Sequence, residues 1–505
     1  MAGISVVMVL IALDQTVVGT ALPRMVAELQ GFGLYPWVAA AYLLCNAILI
    51  PVTGRLGDLH GRKPFLLAAI TLFTLASALC GMAGSMPQLV LARGLQGIGG
   101  GMLVGSAFAS VSDLFPDTLE RVRWQVMLSA AFGVASALGP VLGGWMTEHV
   151  GWRSVFYINL PVGLIALPVV WRWLPHVVHA ERSDGRSLDW LGVLLLTLAI
   201  GTLLVTTEFG ERLGFTSAAF AGLVAASVLL GWLFVRHQRH TTAPVIPPQL
   251  FADPTMRRLG LLAALTGMMM FVLLFYAPLL LQGGLSLSPK EAGLLVTPIL
   301  VSITVGSVIN GRLISRVARP ERLFSRGVLL LITGLALLCS VSADTPRPLL
   351  LAIFTLCGLG FGFQLPNLTL QTQSAVGKGD QGAASALIQT LRTLGSMFGA
   401  SLAGVVVSLG FGRSTGHMLG AEGIRDARVW QLFDSPQVLL RSADQDTLAG
   451  LAHSLGFDAA HLLALARLGL IGGIREALAG CLLLALISYL VSRRLPPFIP
   501  RRTTP

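Results

Sequence analysis

Gly54-Arg55-Leu56-Gly57-Asp58-Leu59-His60-Gly61-Arg62-Lys63-Pro64 lies between two long apolar runs, 36–53 and 65–82. It reads as a short charged turn punctuated by glycine. Glycine permits the positive φ of a tight reversal and lets two helix ends approach closely. Asp58 can accept hydrogen bonds from the free N–H groups at a following helix start, or pair with Arg62 or Lys63. Pro64 suits the first turn of that helix. Two readings follow for Gly54, Asp58, Gly61, Arg62 and Lys63: a basic loop that only sets topology, or a latch whose charge pairs hold one side of the protein closed.

Outward from this turn the chain is apolar nearly throughout. Of its 505 residues 54% are hydrophobic and 12% charged, against about 25% charged in a soluble domain. Runs of ~20 apolar residues, each long enough for a ~30 Å hydrocarbon core, recur along the length. The fold class is therefore an all-α polytopic membrane protein. The runs predict about fourteen spans, near 2–22, 36–53, 65–82, 88–111, 124–146, 155–173, 188–208, 217–235, 259–281, 293–309, 327–342, 349–370, 383–408 and 474–492. The opening run carries Asp14 in its middle and has no basic stretch before it, so it reads as a retained span and not a signal peptide; the natural start can lie upstream. The five cysteines all fall inside apolar runs without a C-x-x-C pair, and read as small buried hydrophobes.

A net charge of +11 would suit a nucleic-acid partner. Its distribution points instead to orientation, because Lys and Arg concentrate in cytoplasmic loops. With the N-terminus inside, the inner loops hold Arg62 and Lys63, Arg121 and Arg123, Arg236 and Arg239, Arg257 and Arg258, Arg312 through Arg326, and Arg493 and Arg494. The short outer loops hold Arg24, Arg153, Arg212, Lys290 and Arg347. Both termini are then cytoplasmic, in the inner membrane, and no nucleic acid is needed. One outer segment is long, about 410–473, and its apolar spacing predicts short amphipathic helices on or near the outer leaflet. A docking face for a periplasmic adaptor protein is the other reading of that segment. Trp37, Trp152, Trp171, Trp173 and Trp190 sit near span ends, as interfacial anchors do.

The chain repeats itself. Gly97-Ile98-Gly99-Gly100-Gly101 matches Gly358-Leu359-Gly360-Phe361-Gly362, the stripe Ala135, Gly139, Gly143 matches Gly395, Gly399, Ala403, and Pro23 ending the first span matches Pro278 ending the ninth. The offsets are roughly 255–261 residues, the mark of a unit used twice. The organisation that follows is an N-terminal six-helix bundle over 1–187, two inserted spans and a linker over 188–258, and a C-terminal six-helix bundle over 259–505. In transporters such repeats place substrate at the interface near the midplane.

The spacing G-x-x-x-D-x-x-G-R-K from Gly54 to Lys63 resembles the signature loop of the major facilitator superfamily, with Leu59 where a basic residue is usual. Other stretches resemble its fourteen-span drug:proton antiporter family, the EmrB/QacA-like group. They are Leu13-Asp14 through Pro23, Arg93 through Gly97, Gly139-Pro140-Val141-Leu142-Gly143-Gly144, and Gly151 through Gly163. The resemblance implies the facilitator fold and proton-driven efflux of small lipophilic drugs or toxic compounds, without a cofactor. It also implies that the Gly139–Gly144 motif marks an antiporter and that Arg93 assists proton transfer. The same motifs would serve a dedicated exporter of an endogenous metabolite or siderophore, or an uptake symporter. A non-transporting sensor or scaffold is the alternative from another class. No phosphate-binding loop, H-E-x-x-H zinc motif or nucleophile–base set is recognisable, which speaks against ATP-driven transport and against an enzyme.

Charge deep in a membrane is costly and points to function. Among 24 acidic residues only Asp14 lies well inside a span, and Arg93 and Arg392 are the deep cations. At ~1.5 Å per residue the depths of Asp14 and Arg93 differ by about 4 to 5 Å, so a pair between them is feasible. It is either a fixed brace or a proton-binding carboxylate whose affinity Arg93 tunes. The repeat favours the second, since Met269 and Phe354 occupy the equivalent positions in the other half. Gln96 is a polar lining candidate. Met269 and Tyr276 offer a polarizable and aromatic face to lipophilic substrates, although core or lipid packing suits such residues equally. Asn367, Gln371 and Arg392 are further cavity candidates.

Overall fold

The computed structural model describes residues 2–114, 118–175, 189–213, 217–241, 244, 252–314, 316–317, 319–342, 345–376, 381–424, 426–433 and 435–497. Regular structure among the described residues is entirely helical, as a bilayer demands, because only a helix or closed barrel satisfies its backbone groups internally. Eleven helices among them are long and apolar enough to cross a membrane.

The first half contains α1 (Ala2–Leu29), α2 (Tyr35–His60), α3 (Arg62–Gly81), α4 (Met86–Leu114), α5 (Thr118–His149), the single turn α6 (Ser154–Tyr157) and α7 (Asn159–Trp173). Then come α8 (Trp190–Leu213) and α9 (Ala218–His240), packed on each other as a hairpin. The second half contains α10 (Pro254–Leu279), α11 (Pro289–Ile314), α12 (Glu321–Cys339), α13 (Arg347–Ala375), α14 (Gln381–Ala421), α15 (Ala427–Leu432), α16 (Ser442–Leu455) and α17 (Ala459–Ser492). Helices α4, α5 and α8, outside the eleven, fall where the fourth, fifth and seventh spans are expected. The whole is compatible with about fourteen.

The repeat is physical. In the first half α1 packs on α5, α2 on α4, α3 on α4 and α3 on α7; in the second α10 packs on α14, α11 on α13, α12 on α13 and α12 on α17. The matching glycines make matching contacts. A Cβ on Gly97 would fall on the Tyr42 carbonyl of α2, and one on Gly358 would fall on the Ile299 carbonyl of α11. The halves meet along α5 against α11 and α14 against α2, while α8 leans on α2 and α14.

Several expectations need correction. The Gly54–Pro64 stretch is mostly helix: α2 runs on to His60, and the chain reverses at Gly61 alone, with φ 81°. Pro23 and Pro278 do not end their spans. Each lies inside its helix, and α10 passes into a π-helical turn at Leu280–Gly284. Neighbouring helices in a membrane tolerate such prolines by re-satisfying the freed carbonyl. The outer segment is shorter than 410–473, because α14 continues to Ala421 and α17 begins at Ala459. Gly410 and Gly473 approach closely there, as do Gly469 and Thr415, so the two helices extend together. Between them α16 is short and two-faced, as the apolar spacing predicts: it buries Leu448 and Ala452, exposes Asp446, Thr447 and His453 and packs on α17. Trp152 is not an interfacial anchor but a buried ring whose Nε1 donates to Glu28 Oε2 at 2.8 Å. Trp171, Trp173 and Trp190 are exposed, as anchors are.

Candidate functional site

The two deep charges of the first half meet. Arg93 of α4 donates from Nη1 to Asp14 Oδ2 of α1 at 2.8 Å, with both side chains at most 2% exposed. Gln96, one turn along α4, ties the pair from the side. Its Nε2 donates to Asp14 Oδ1 at 2.7 Å, and its Oε1 accepts from Arg93 Nη1 at 2.7 Å and from Cys80 Sγ at 3.5 Å. Arg93 Nε donates to the Val38 carbonyl at 3.3 Å, and the guanidinium lies 4.2 Å from the Tyr42 ring centre. Asn159, the first residue of α7, donates from Nδ2 to Asp14 Oδ1 at 3.1 Å and to Ser77 Oγ at 3.0 Å. Ser77 Oγ in turn donates to the Phe156 carbonyl at 2.8 Å.

Local sequence produces this convergence. Gly97 removes the Cβ that would hold α4 away from α2, which brings Arg93 to the Val38 carbonyl and the Tyr42 face. Gly163 does the same for α7 against Thr74 of α3. The break at Ile158 between α6 and α7 turns Asn159 inward, where it is fully buried. A charged carboxylate out of water is costly unless its oxygens are hydrogen-bonded, and here three donors surround it. Taking up a proton forces one of those donors to move.

A second cluster joins the halves. Gly139 packs against Thr16 and Gly143 against Val17 and Thr20, both on α1. A Cβ on Gly144 would fall on the Pro289 carbonyl of α11, and one on Gly293 of α11 on the Pro140 carbonyl. The motif thus closes α5 on α1 with one face and on α11 with the other. Hydrogen bonds cross between the halves at the end away from the Arg62–Lys63 turn. Tyr35 Oη donates to the Phe275 carbonyl at 2.8 Å, Gln282 Nε2 to the Thr20 carbonyl at 2.8 Å, Lys290 N to Glu148 Oε2 at 3.2 Å and Gly31 N to Gln437 Oε1 at 3.3 Å.

Residues 4–400 match the Major Facilitator Superfamily. The chain belongs to that superfamily. Among its relatives are "Multidrug transporter protein MdtP" of Bacillus subtilis, 33% identical over 80% of this chain and 74% of that protein, and "Multidrug resistance protein 3" of the same organism, 31% identical over 78% and 76%. "Multidrug resistance protein fnx1" of Schizosaccharomyces pombe is 30% identical over 77% and 75%. Among solved structures, a bacterial homologue of the human lysosomal transporter Spinster, inward-facing and occupied, overlays with a TM-score of 0.68 at 15% identity over 99% of this chain and 98% of its own. The nucleoside transporter NupG overlays at 0.58, with 15% identity over 92% and 99%. The fold is thus that of a facilitator, a multi-pass membrane transporter of small molecules.

The remaining site candidates of this facilitator are not gathered in one place. Gln96 belongs to the Asp14 network. Tyr276 donates to the Ala400 carbonyl at 3.0 Å and lies 5.4 Å from the Tyr35 ring, so it stands at the contact between halves. Met269 is buried in the core. Asn367 donates to Asn310 Oδ1 at 2.7 Å between α13 and α11, and Gln371 is buried one turn further along. Arg392 donates to Gln389 Oε1 of its own helix at 2.9 Å. At the signature turn Arg62 is buried, with its stem against Gly57, and Lys63 is half-buried. The side chain of Asp58 and the surroundings of Gly54 lie outside the described residues. The sequence places Asn159 within a motif without giving it a role, and nothing in the motifs singles out Ser77 or Tyr42. The available signal was an amide at a span entrance, in the same bundle as a buried carboxylate.

Proposed function

We propose that this facilitator exports lipophilic drugs or toxic compounds across the cytoplasmic membrane in exchange for protons, as a member of the fourteen-span EmrB/QacA-like group. The observation that carries the proton coupling is the Asp14 carboxylate, sealed from water and bonded to Arg93, Gln96 and Asn159. Relatives named as multidrug transporters support the substrate class. Asp14 takes a proton from the outside and releases it to the cytoplasm. Neutralising Asp14 weakens its hold on Arg93, since a charge-assisted bond is roughly twice as strong as a neutral one. That loosens α1 from α4 and lets the halves change their contact along α5–α11 and α2–α14. Asp58, Arg62 and Lys63 act as the latch at the cytoplasmic end, with both termini on that side. The proton gradient is the drive and no cofactor takes part. Tyr276, Asn367 and Gln371, buried between helices here, and the half-buried Arg392 are assigned to the substrate's route once the halves move.

The test is uptake of a lipophilic dye into proteoliposomes with an imposed pH difference. Wild type accumulates the dye only when the lumen is acidic, and Asp14→Asn matches protein-free vesicles under the same gradient. Accumulation by Asp14→Asn at the wild-type rate would remove Asp14 from the coupling. Failure of wild type across a panel of lipophilic cations and neutral drugs would favour a dedicated metabolite exporter.

A further inference from the structure

Around Asp14 the buried Tyr42 Oη and Asn159 Oδ1 lack a hydrogen-bond partner, and of the two residues only Asn159 bonds the carboxylate. Asn159 Oδ1 is buried and has no hydrogen-bond partner, while the Nδ2 of the same amide serves both Asp14 and Ser77. A buried acceptor without a donor is expensive to keep, and this one sits on the side chain that touches the carboxylate. Asp14 Oδ1 is held by two amides, and they differ in freedom. Gln96 is pinned: its Oε1 already accepts from Arg93 and Cys80, and turning it would aim Nε2 at the guanidinium. Nothing holds the Asn159 oxygen. The terminal torsion of an asparagine is broad and two-fold, so exchanging its O and N costs little in the side chain itself.

We infer that Asn159 is a positioning residue that turns its amide when Asp14 is protonated, so that Oδ1 accepts the new O–H. This rests on Asp14 being the proton-binding group. A proton delivered by hydronium adds to a carboxylate oxygen: one O–H bond of the hydronium breaks, neutral water leaves, and the carboxylate becomes a carboxylic acid. The acid O–H needs an acceptor, because the carboxylate had been surrounded by donors only. With the amide turned, Oδ1 receives that O–H, and the Ser77 hydroxyl rotates from the Phe156 carbonyl to donate to Oδ1 as well. Asn159 thus bonds Asp14 in both protonation states, and the state is passed to α7 and α3 through Ser77. The charged and titratable groups facing Asp14 are Arg93 on α4, Tyr42 on α2 and Cys80 on α3. Helices α5, α7 and α10 are without a titratable side chain at this depth.

Asn159→Val and Asn159→Thr have matched shapes, and only threonine both donates and accepts. The readout is the protonated carboxyl stretch of Asp14 against pH, taken as the infrared difference between each protein and its Asp14→Asn counterpart, with the full chain in nanodiscs. Asn159→Val takes an acceptor from the acid form and a donor from the charged form, so the amide itself is the reporter of the turn. The Asn159 side-chain carbonyl stretch, read as wild type minus Asn159→Val, shifts to lower frequency as the Asp14 acid band grows in, because Oδ1 passes from unpartnered to hydrogen-bonded, and Asn159→Thr keeps its midpoint nearer wild type than Asn159→Val does. An Asn159 carbonyl stretch that does not move when Asp14 is protonated overturns the inference. Should Asn159→Val not fold, Asn159→Ala and Asn159→Ser make the same comparison. The parent reading fails separately: drug-driven proton movement that persists in Asp14→Asn defeats the coupling role and leaves the amide turn standing. Coupling that needs Asp14, with an Asn159 carbonyl stretch that ignores the protonation of Asp14, defeats the amide turn alone.

Discussion

A carboxylate and a guanidinium taken out of water each lose hydration worth several kcal/mol, and Asp14 and Arg93 recover it only through each other, Gln96, Asn159 and the Val38 carbonyl. Breaking such a pair from one side costs more than removing it. Arg93→Met leaves a buried carboxylate without its counter-charge and should destabilise the protein by about 3–5 kcal/mol, whereas Asp14→Leu with Arg93→Met recovers most of that loss. Thermal unfolding of the purified variants checks this; strictly additive losses would show that the two charges do not act as a pair. These two residues were legible in the sequence because an ion in an apolar run is too costly to keep without a partner. Asn159 was not, because a neutral amide carries no such signal and its inward turn depends on the helix break at Ile158.

At the scale of elements, glycines decide where helices touch. Gly144 has the Pro289 backbone where a Cβ would stand, while Gly201 of α8 has nothing within 4 Å. Gly144→Val should hold α5 and α11 apart and abolish transport, and Gly201→Val should leave it intact. Spin-label distances between α5 and α11 report the separation; closed distances in Gly144→Val would contradict it. The α8–α9 hairpin is fastened by Asp189, which accepts from His237 Nε2 at 2.6 Å, Gln238 Nε2 at 2.6 Å and Gly192 N at 2.8 Å. Burial pushes the Asp189 carboxyl up, but the bonds from His237, Gly192 and Gln238 outweigh it and hold it below the usual aspartate range. A lowered value means stabilisation that is present above about pH 4 and is lost as pH falls below it. The stability gap between wild type and Asp189→Asn, followed by thermal unfolding, should therefore shrink on acidification through that range, and a gap independent of pH would refute the fastening role. Helix positions were legible from hydropathy, but their ends were not. The α14–α17 contact carries both helices past the apolar run, and Pro23 and Pro278 are absorbed by neighbours.

At the scale of the whole molecule the two halves pair their helices in the same pattern, and among the described residues the Asp14–Arg93 network lies in the first half: Met269 and Phe354 are buried where the repeat places Asp14 and Arg93. That asymmetry was visible in the sequence, as was the repeat, because the packing glycines recur at nearly constant offset. Where hydrogen bonds tie the halves together, at the end away from the Arg62–Lys63 turn, was not visible, since it depends on contacts between distant residues such as Tyr35 with Phe275 and Gln282 with Thr20. Tyr35→Phe removes one such bond, worth about 1 kcal/mol, and should raise labelling of a cysteine introduced at Gln15, from that end, by about fivefold. Unchanged labelling would mean this bond does not hold the end shut. The most direct test of the central claim is proton release on drug binding, measured with the purified protein in weakly buffered detergent. If Asp14 is the coupling site, wild type releases protons when a lipophilic drug is added, and Asp14→Asn binds the drug without releasing any. Equal release from both would contradict the account.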